Sequence, residues 1–259
     1  MADNEFTISA EAVGLIREQG YEPRRTMDGK IAEWRGLYTG TDPFYDVPYV
    51  NASGARRKRR RNSLKPARRV CRELASLILT DDTEVSVDAP SANGWLAEHL
   101  ARSNFWPTGQ RVVESCAALG TAAWALSFDV RDGEVSRILM PRYDARMVLP
   151  LTFDSQGVYE CAFVTRVTDA GRDAEQVQLM TMDEGTGTYH VRTWLLRDGR
   201  ALDPGSCGII ADFDTRSRFK PFGIFATGIE NVHDDLSPFG ASIFADAEDE
   251  IKASSRRSR

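Results

Sequence analysis

The chain has 259 residues, of which 42% are hydrophobic and 27% are charged, and its net charge is −5. This length suffices for a sizeable core, and five Trp, seven Tyr and twelve Phe argue against disorder throughout. No apolar run approaches the roughly 18 residues of a membrane helix, and the acidic start Met1–Glu5 lacks the apolar stretch of a secretory signal. We therefore expect neither a membrane span nor a signal peptide.

The first segment, residues 1–61, is predicted to hold two short helices and a basic loop. Ser9 can cap the first helix, and Thr26 begins the second. Residues 38–54 are rich in turn formers and aromatic side chains, which indicates an ordered extended loop.

The second segment, residues 62–128, is predicted to be helical. Amphipathic patterns favour helices at 66–79, 93–102 and 109–123. The first should bury one apolar face that includes Val70, Leu77 and Ile78, and the second should bury Trp95. The third is rich in alanine and contains Gly120, so a neighbouring backbone can approach it closely, and we expect it to be the central packing helix.

The third segment, residues 129–235, changes to the two-residue period of strands. Asp132-Gly133 is a strong hairpin signal, and further strands are predicted at 146–153, 158–168, 175–182, 188–196 and 208–213. Turn clusters separate them without intervening helices, which predicts an antiparallel meander. A final helix near 241–253 and a disordered tail complete the last segment, 236–259. The fold class is therefore α+β, with N-terminal helices, an antiparallel β-rich region and a C-terminal helix.

Positive charge is concentrated between Arg56 and Arg72, where ten basic residues occur without an acid. Of the 33 basic residues, 23 remain elsewhere against 38 acidic ones, a charge of −15. Such a segment can dock on phosphate, or on the acidic surface of a neighbouring copy. A solvated loop without a specific partner is the simpler interpretation of the run.

Motifs of catalysis are absent or incomplete. Gly29-Lys30 lacks the other positions of a phosphate-binding loop, no GxSxG or HExxH occurs, and the three histidines lie in different elements. Asp212 and Asp214 can share a strand face and bind a divalent ion, although two solvated acids are commoner. The four cysteines are predicted to be buried free thiols. We predict no catalytic residue, no metal and no cofactor.

Several segments can be compared with known families by their order and spacing: Tyr49–Asn51 followed by Asn62–Leu79, Glu84–Val87, Asn104–Phe105 with Glu114–Ala123, Leu149–Leu151 with Glu160–Phe163, and Asn231 and Asp234 with Ser237–Ala245. In this order and spacing they resemble one family, the portal proteins of tailed bacteriophages, in the branch related to portals of long-tailed phages of Gram-positive hosts. Together they span most of residues 34–253.

The resemblance implies a structural role without catalytic residues. Portal subunits form a ring, usually of twelve copies, at one vertex of the virion capsid, after assembly in the bacterial host's cytoplasm. The ring seeds head assembly with capsid and scaffold proteins, docks the packaging terminase, passes double-stranded DNA, and later joins head-completion and tail proteins. Residues 62–128 would then be a wing-like region.

A closed ring needs one face of a subunit to meet a different face of the next, which suits a chain with a basic segment on an acidic body. An acidic body also suits a channel that must hold DNA weakly. We therefore predict an inter-subunit or peripheral DNA contact, made by Arg56, Arg57, Lys58, Arg59, Arg60, Arg61 and Lys65.

Two further expectations concern the end of the chain and the rival functions. Family members continue past the final helix, whereas this sequence ends in SSRRSR; we expect a truncated or prophage-derived form that is monomeric or forms irregular oligomers. The alternatives to a portal subunit are a stand-alone nucleic-acid-binding module using residues 56–72, and a metal-dependent enzyme using Asp212 and Asp214.

Overall fold

A computed structural model describes residues 6–61, 64–80, 82–131, 134–169, 171–207 and 209–257. Its helices are α1 (Ala10–Glu18), α2 (Asp28–Thr39), α3 (Pro66–Ile78), α4 (Pro90–Arg102), α5 (Phe105–Leu119) and α6 (Glu248–Arg257). Its strands are β1 (Asp46–Val50), β2 (Arg56–Arg60), β3 (Thr121–Ala125), β4 (Ser127–Arg131), β5 (Glu134–Leu139), β6 (Arg142–Asp144), β7 (Val148–Asp154), β8 (Gly157–Asp169), β9 (Arg172–Asp183), β10 (Thr188–Arg197), β11 (Arg200–Leu202), β12 (Asp212–Asp214) and β13 (Phe222–Ala226).

The predicted α+β class is confirmed. The largest sheet has the order β11-β10-β9-β8-β7, with β12 also paired to β10, and its neighbours are antiparallel. A second sheet has the order β13-β3-β6, and β4-β5 and β1-β2 form two-stranded ribbons. The predicted meander corresponds to β7 through β10, where turn residues separate long strands. The division into four segments stays a prediction, since element bounds alone do not test domain boundaries.

The two faces of the large sheet support separate apolar clusters. Helix α1 packs on one face, where its Ile16 joins Val164 and Val177 in a buried cluster. Phe163, on the opposite face because side chains alternate along β8, joins the main core with Trp34 of α2. One face of the sheet is therefore packed against α1, and the other face contributes to the main core.

Ser9 caps α1 as predicted, because its Oγ accepts a hydrogen bond from the Ala12 amide at 3.1 Å. The Ser9 amide donates to Glu175 Oε1 at 3.1 Å, and its hydroxyl donates to the other oxygen of that carboxylate. The cap thus also joins the helix to strand β9.

The predicted helix at 109–123 is wrong at its C-terminal end. Gly120 adopts a left-handed conformation (φ +79°) that ends α5 at Leu119, and the chain continues as β3. Strand β3 pairs with β13, which is about a hundred residues away in sequence, so no local pattern indicated this sheet.

The predicted final helix at 241–253 also begins later than expected. The Ile243 amide donates to Ala117 O at 3.0 Å and the Gly240 amide to Thr121 Oγ1 at 3.1 Å, so these donors are bonded to α5 and β3 rather than within a helix. Helix α6 instead spans Glu248–Arg257 and includes part of the tail that was predicted to be disordered.

The predicted faces of α3 and α4 are only partly correct. Cys71 of α3 is fully buried, but Val70, Leu77 and Ile78 are exposed. Trp95 of α4, predicted to be buried, is 57% exposed and stacks on His99, with 5.2 Å between ring centroids.

Some predictions fall outside the described residues. These are the Asp132-Gly133 turn, the Asn62-Ser63 part of the family resemblance, the Gly208 start of the strand predicted at 208–213, and the last two residues of the tail.

Candidate functional site

The predicted basic loop is wrong as a loop, because residues 56–60 form strand β2. It pairs antiparallel with β1, with Tyr49 opposite Arg57 and Val50 opposite Arg56. We call β1, β2 and the connecting residues 51–55 the basic ribbon. Every residue of β2 is exposed, and β1 is exposed from Pro48 to its end. The half of the ribbon next to the connecting residues 51–55, which we call its distal half, is therefore exposed to solvent on both strands.

The cations of β2 lie on both faces of the ribbon. Because side chains alternate along a strand, Arg56, Lys58 and Arg60 share one face, and Arg57 and Arg59 share the other. Cations on the same face are two residues apart, a spacing of roughly 6.8 Å. The run is thus two short rows of positive charge, one on each side of a thin ribbon.

The tip of the ribbon is a defined turn. Asn51 Oδ1 accepts hydrogen bonds from the Ser53 amide at 3.1 Å and the Ala55 amide at 2.8 Å, and the Asn51 amide donates to Ala55 O at 3.0 Å. Gly54 supplies the left-handed conformation (φ +78°) that the turn requires. These bonds join the two strands where the cationic run begins.

The base of the ribbon is held by two of the predicted site residues. The Arg60 guanidinium donates to Gly40 O and lies 3.7 Å from the Asp46 carboxylate. The Arg61 guanidinium lies over the Phe44 ring, 4.7 Å from its centroid. Arg60 and Arg61 therefore fix the ribbon to the body of the protein.

Lys65 also lies at this base rather than on the ribbon. It precedes α3 in a left-handed conformation (φ +50°), and a Cβ placed on Gly40 would come within 3.2 Å of its Cε. The structure thus brings Lys65 and Arg60 together at Gly40, and separates both from the ribbon's distal end.

Four of the seven predicted residues remain without a partner. Within the part of the chain that the structure describes, the side chains of Arg56, Arg57, Lys58 and Arg59 have no hydrogen bond or ion pair. Their charges are exposed and available to an external partner.

The basic residues of α3 differ, because they are bound within the fold. The Arg72 Nε lies 3.3 Å from Glu114 Oε1, and the Arg68 guanidinium lies 5.8 Å from the Tyr38 ring centroid. The Tyr38 hydroxyl donates to Glu114 at 2.5 Å, and burial together with this carboxylate raises the pKa of Tyr38. Glu114 thereby joins α2, α3 and α5, a role that its position in a helical pattern did not reveal.

A second polar network joins α2 to α6. Glu248 accepts from Trp34 Nε1 at 2.7 Å and from Lys30 Nζ at 3.1 Å. Glu33 accepts from Lys30 at 2.9 Å and from Lys252 at 3.1 Å. The bond from Lys30 is the main reason that the pKa of Glu33 falls to about 2. Sequence spacing indicates the Lys30–Glu33 pair but not the partners on α6.

The segment before α6 is fixed in the same manner. Asp234, one of the positions that carried the resemblance, accepts from Arg24 at 2.5 and 3.0 Å and also from the Thr26 hydroxyl. The hydrogen bonds from Thr26 and Arg24 lower the pKa of Asp234.

The predicted carboxylate pair has protein partners. Asp212 Oδ1 lies 2.9 Å from His190 Nδ1, and Asp214 accepts from Thr188 Oγ1 at 3.0 Å and from the Arg216 amide at 2.8 Å. Among the described residues, no cluster of three or more His, Cys, Asp or Glu is arranged to bind a metal ion.

Three cysteines are free and buried, as predicted, and Cys207 lies where side chains are not described. Burial raises the pKa of Cys71 to about 12 and that of Cys116 to about 11, and it raises the pKa of Cys161 as well. Such thiols are poor nucleophiles. None of the helices in the described residues has the length and apolar character needed to cross a bilayer.

These features define a class of protein: an α+β scaffold whose charged networks connect its elements and whose unpartnered cations stand on one ribbon. The family comparison agrees. Residues 28–199, 172 of the 259, match the model of the family described as phage portal protein, SPP1 Gp6-like, and the chain belongs to this family. The family is structural and non-enzymatic, and it implies a ring-forming protein of the phage capsid vertex. A comparison with curated proteins gave no significant match.

Proposed function

We propose that this chain is a subunit of the portal ring, the head–tail connector through which phage DNA is packaged and ejected. The observation that carries the proposal is the family match over residues 28–199, which extends from the start of α2 to β10 of the large sheet. The partners we propose are sister copies, the packaging terminase, capsid and scaffold proteins, head-completion and tail proteins, and double-stranded DNA. The chain would act without catalysis, at the capsid vertex and, during assembly, in the host cytoplasm.

The internal networks support a role as a rigid wall segment. Glu114 joins α2, α3 and α5, and Glu248 joins α2 to α6. These bonds restrain the helices from moving relative to one another. A ring subunit must keep its shape while two different faces contact its neighbours. Within this proposal, the basic ribbon contacts DNA or a neighbouring subunit.

Electron microscopy of the purified chain, with mass photometry over a range of concentrations, tests the proposal. Closed rings of one symmetry would support it, and would also contradict the expectation of a truncated, irregularly assembling form. A chain that stays monomeric at every concentration would contradict the ring.

A second function, a stand-alone nucleic-acid-binding module, is favoured by the four unpartnered cations of β2. It predicts duplex binding by the monomer that weakens steeply with salt. Absence of retention on heparin at low salt would count against this function.

A further inference from the structure

We propose that the basic ribbon is a groove-binding element that inserts its tip into the major groove of double-stranded DNA and contacts phosphates on both sides. The proposal rests on the portal function for the identity of the duplex, and it selects DNA over a neighbouring subunit as the ribbon's partner. The observation behind it is the placement of cations on both faces of an exposed two-stranded ribbon.

The two-sided charge distinguishes the two partners. An acidic patch on a neighbouring copy would contact one face, so that either the row of Arg56 and Lys58 or the row of Arg57 and Arg59 would stay in water. A DNA groove has a phosphate backbone on each side, and both rows can then contact phosphate at once. Each row of cations on the ribbon would therefore face one of the two phosphate backbones of the groove.

The dimensions of the ribbon agree with those of the groove. The three distal pairs, from Pro48–Lys58 to Val50–Arg56, are exposed and extend for about 10 Å at about 3.4 Å per pair. The major groove is about 8.5 Å deep and about 12 Å wide, and it admits a two-stranded ribbon whose strands lie about 4.8 Å apart. The base, held by Arg60 and Arg61, would remain outside the groove.

The tip is suited to close approach without reading sequence. The turn after Asn51 is Ala52-Ser53-Gly54-Ala55, so no large side chain blocks the groove floor. The side-chain oxygen of Asn51, Oδ1, already accepts hydrogen bonds within the turn. Contacts to phosphate carry no base identity, so we expect similar affinity for duplexes of different sequence.

The expected strength follows from the number of free cations. Four phosphate contacts give a salt slope of about −3.6, which corresponds to a loss of roughly 150-fold in affinity between about 50 and 200 mM salt. Such binding is weak at physiological salt and allows the duplex to slide. A ribbon of this strength can guide DNA without arresting its movement.

The test measures fluorescence anisotropy of a labelled mixed-sequence duplex of about 30 bp, with the full chain, across this salt range. The variants are R56Q/K58Q for one face, R57Q/R59Q for the other, and the four changes together. The matched control is R172Q/R200Q, which removes two exposed arginines of the large sheet. Each face pair should lower the slope by about 1.8, the fourfold variant should be nearly insensitive to salt, and the control should match the parent chain.

A second duplex of the same sequence, with bulky substituents at C5 of its pyrimidines, tests the groove. This position lies in the major groove, so binding should weaken several-fold relative to the unmodified duplex. Equal binding of the two duplexes would overturn insertion into the major groove. A slope that depends on only one face pair would overturn the two-sided contact.

Mass photometry of the same variants separates this proposal from the portal function. Variants that bind the duplex normally but lose oligomers would assign the ribbon to a neighbouring copy and overturn the proposal. A parent chain without rings whose duplex binding depends on both faces would contradict the portal function while supporting the ribbon. A parent chain that forms rings, but whose duplex binding does not depend on the ribbon, would support the portal function and contradict the ribbon proposal.

Discussion

Replacement of Gly120 by alanine should destabilise this fold more than the same change at a glycine that has open space around it. Gly120 has φ +79°, and a Cβ at this position would overlap the carbonyl oxygen of Gly240 and lie 2.7 Å from the carbonyl carbon. The carbonyl carbon of Ala241 would be 2.9 Å away. All these atoms belong to backbone, which cannot move aside as the end of a flexible side chain can, so the segment beginning at Gly240 must shift.

The magnitude follows from two contributions. A left-handed conformation costs a residue with a Cβ about 1–2 kcal/mol. The shifted segment would weaken the hydrogen bonds from the Gly240 amide to Thr121 Oγ1 and from the Ile243 amide to Ala117 O, each with a net value of about 1 kcal/mol. The expected loss in the free energy of unfolding is therefore roughly 3–4 kcal/mol, which for a chain of this size lowers Tm by roughly 10 °C.

Gly187 provides the matched control. It also has a left-handed conformation (φ +67°), but a Cβ there would meet no atom within 4 Å. Gly187→Ala should therefore cost only the conformational part, about 1–2 kcal/mol. Urea denaturation followed by circular dichroism and tryptophan fluorescence measures both variants. Equal losses in the two variants would refute the reasoning, because they would show that close approach at Gly120 adds nothing.

Three further predictions concern titration and reactivity. The lowered pKa of Glu33 means that its charge stabilises the fold above the ordinary value of 4.5, and that this contribution is lost as the pH falls towards about 2. E33Q should therefore destabilise the chain in urea at about pH 7 and less so at about pH 3; an equal loss at both would contradict the ion-pair origin. In an ultraviolet absorbance titration, Y38F should remove a phenol that ionises above the ordinary tyrosine pKa, because burial and Glu114 oppose its ionisation; loss of an early-ionising phenol would contradict this. In a C207S variant, the remaining thiols should react with a disulfide reagent only after unfolding, because burial disfavours their thiolates; fast reaction in the native state would refute their burial. The thiols concerned are Cys71, Cys116 and Cys161.

Local signals predicted the elements whose causes are local. Ser9 predicted the start of α1, and the turn clusters around Gly157 and Gly199 predicted the ends of strands in the large sheet. These patterns depend on side chains a few residues apart, so sequence reasoning could identify them.

Elements formed by distant partners could not be predicted in this manner. Strand β3 needs β13, and the irregular path from Gly240 to Ile243 needs Thr121 of β3 and Ala117 of α5. The hydrophobic periodicity of each segment alone therefore does not predict its conformation. The candidate site shows the same limit. The run of cations is obvious in the sequence, but Gly40, Asp46 and Phe44 decide which of them are bound at the base.

The strand conformation of the cationic run has an energetic consequence. In β2, residues on one face are about 6.8 Å apart along the backbone, and two like charges at that separation repel by roughly 0.6 kcal/mol at the dielectric constant of water. Strand β2 also contains none of the β-branched or aromatic residues that favour strands, so it depends on the turn at Asn51 and on the anchor of Arg60 rather than on its own preference. A polyanion that contacts both rows would relieve this repulsion, because its negative charges would offset the neighbouring cations. The ribbon is thus a preformed but electrostatically unfavourable conformation, and a bound polyanion would lower its internal repulsion.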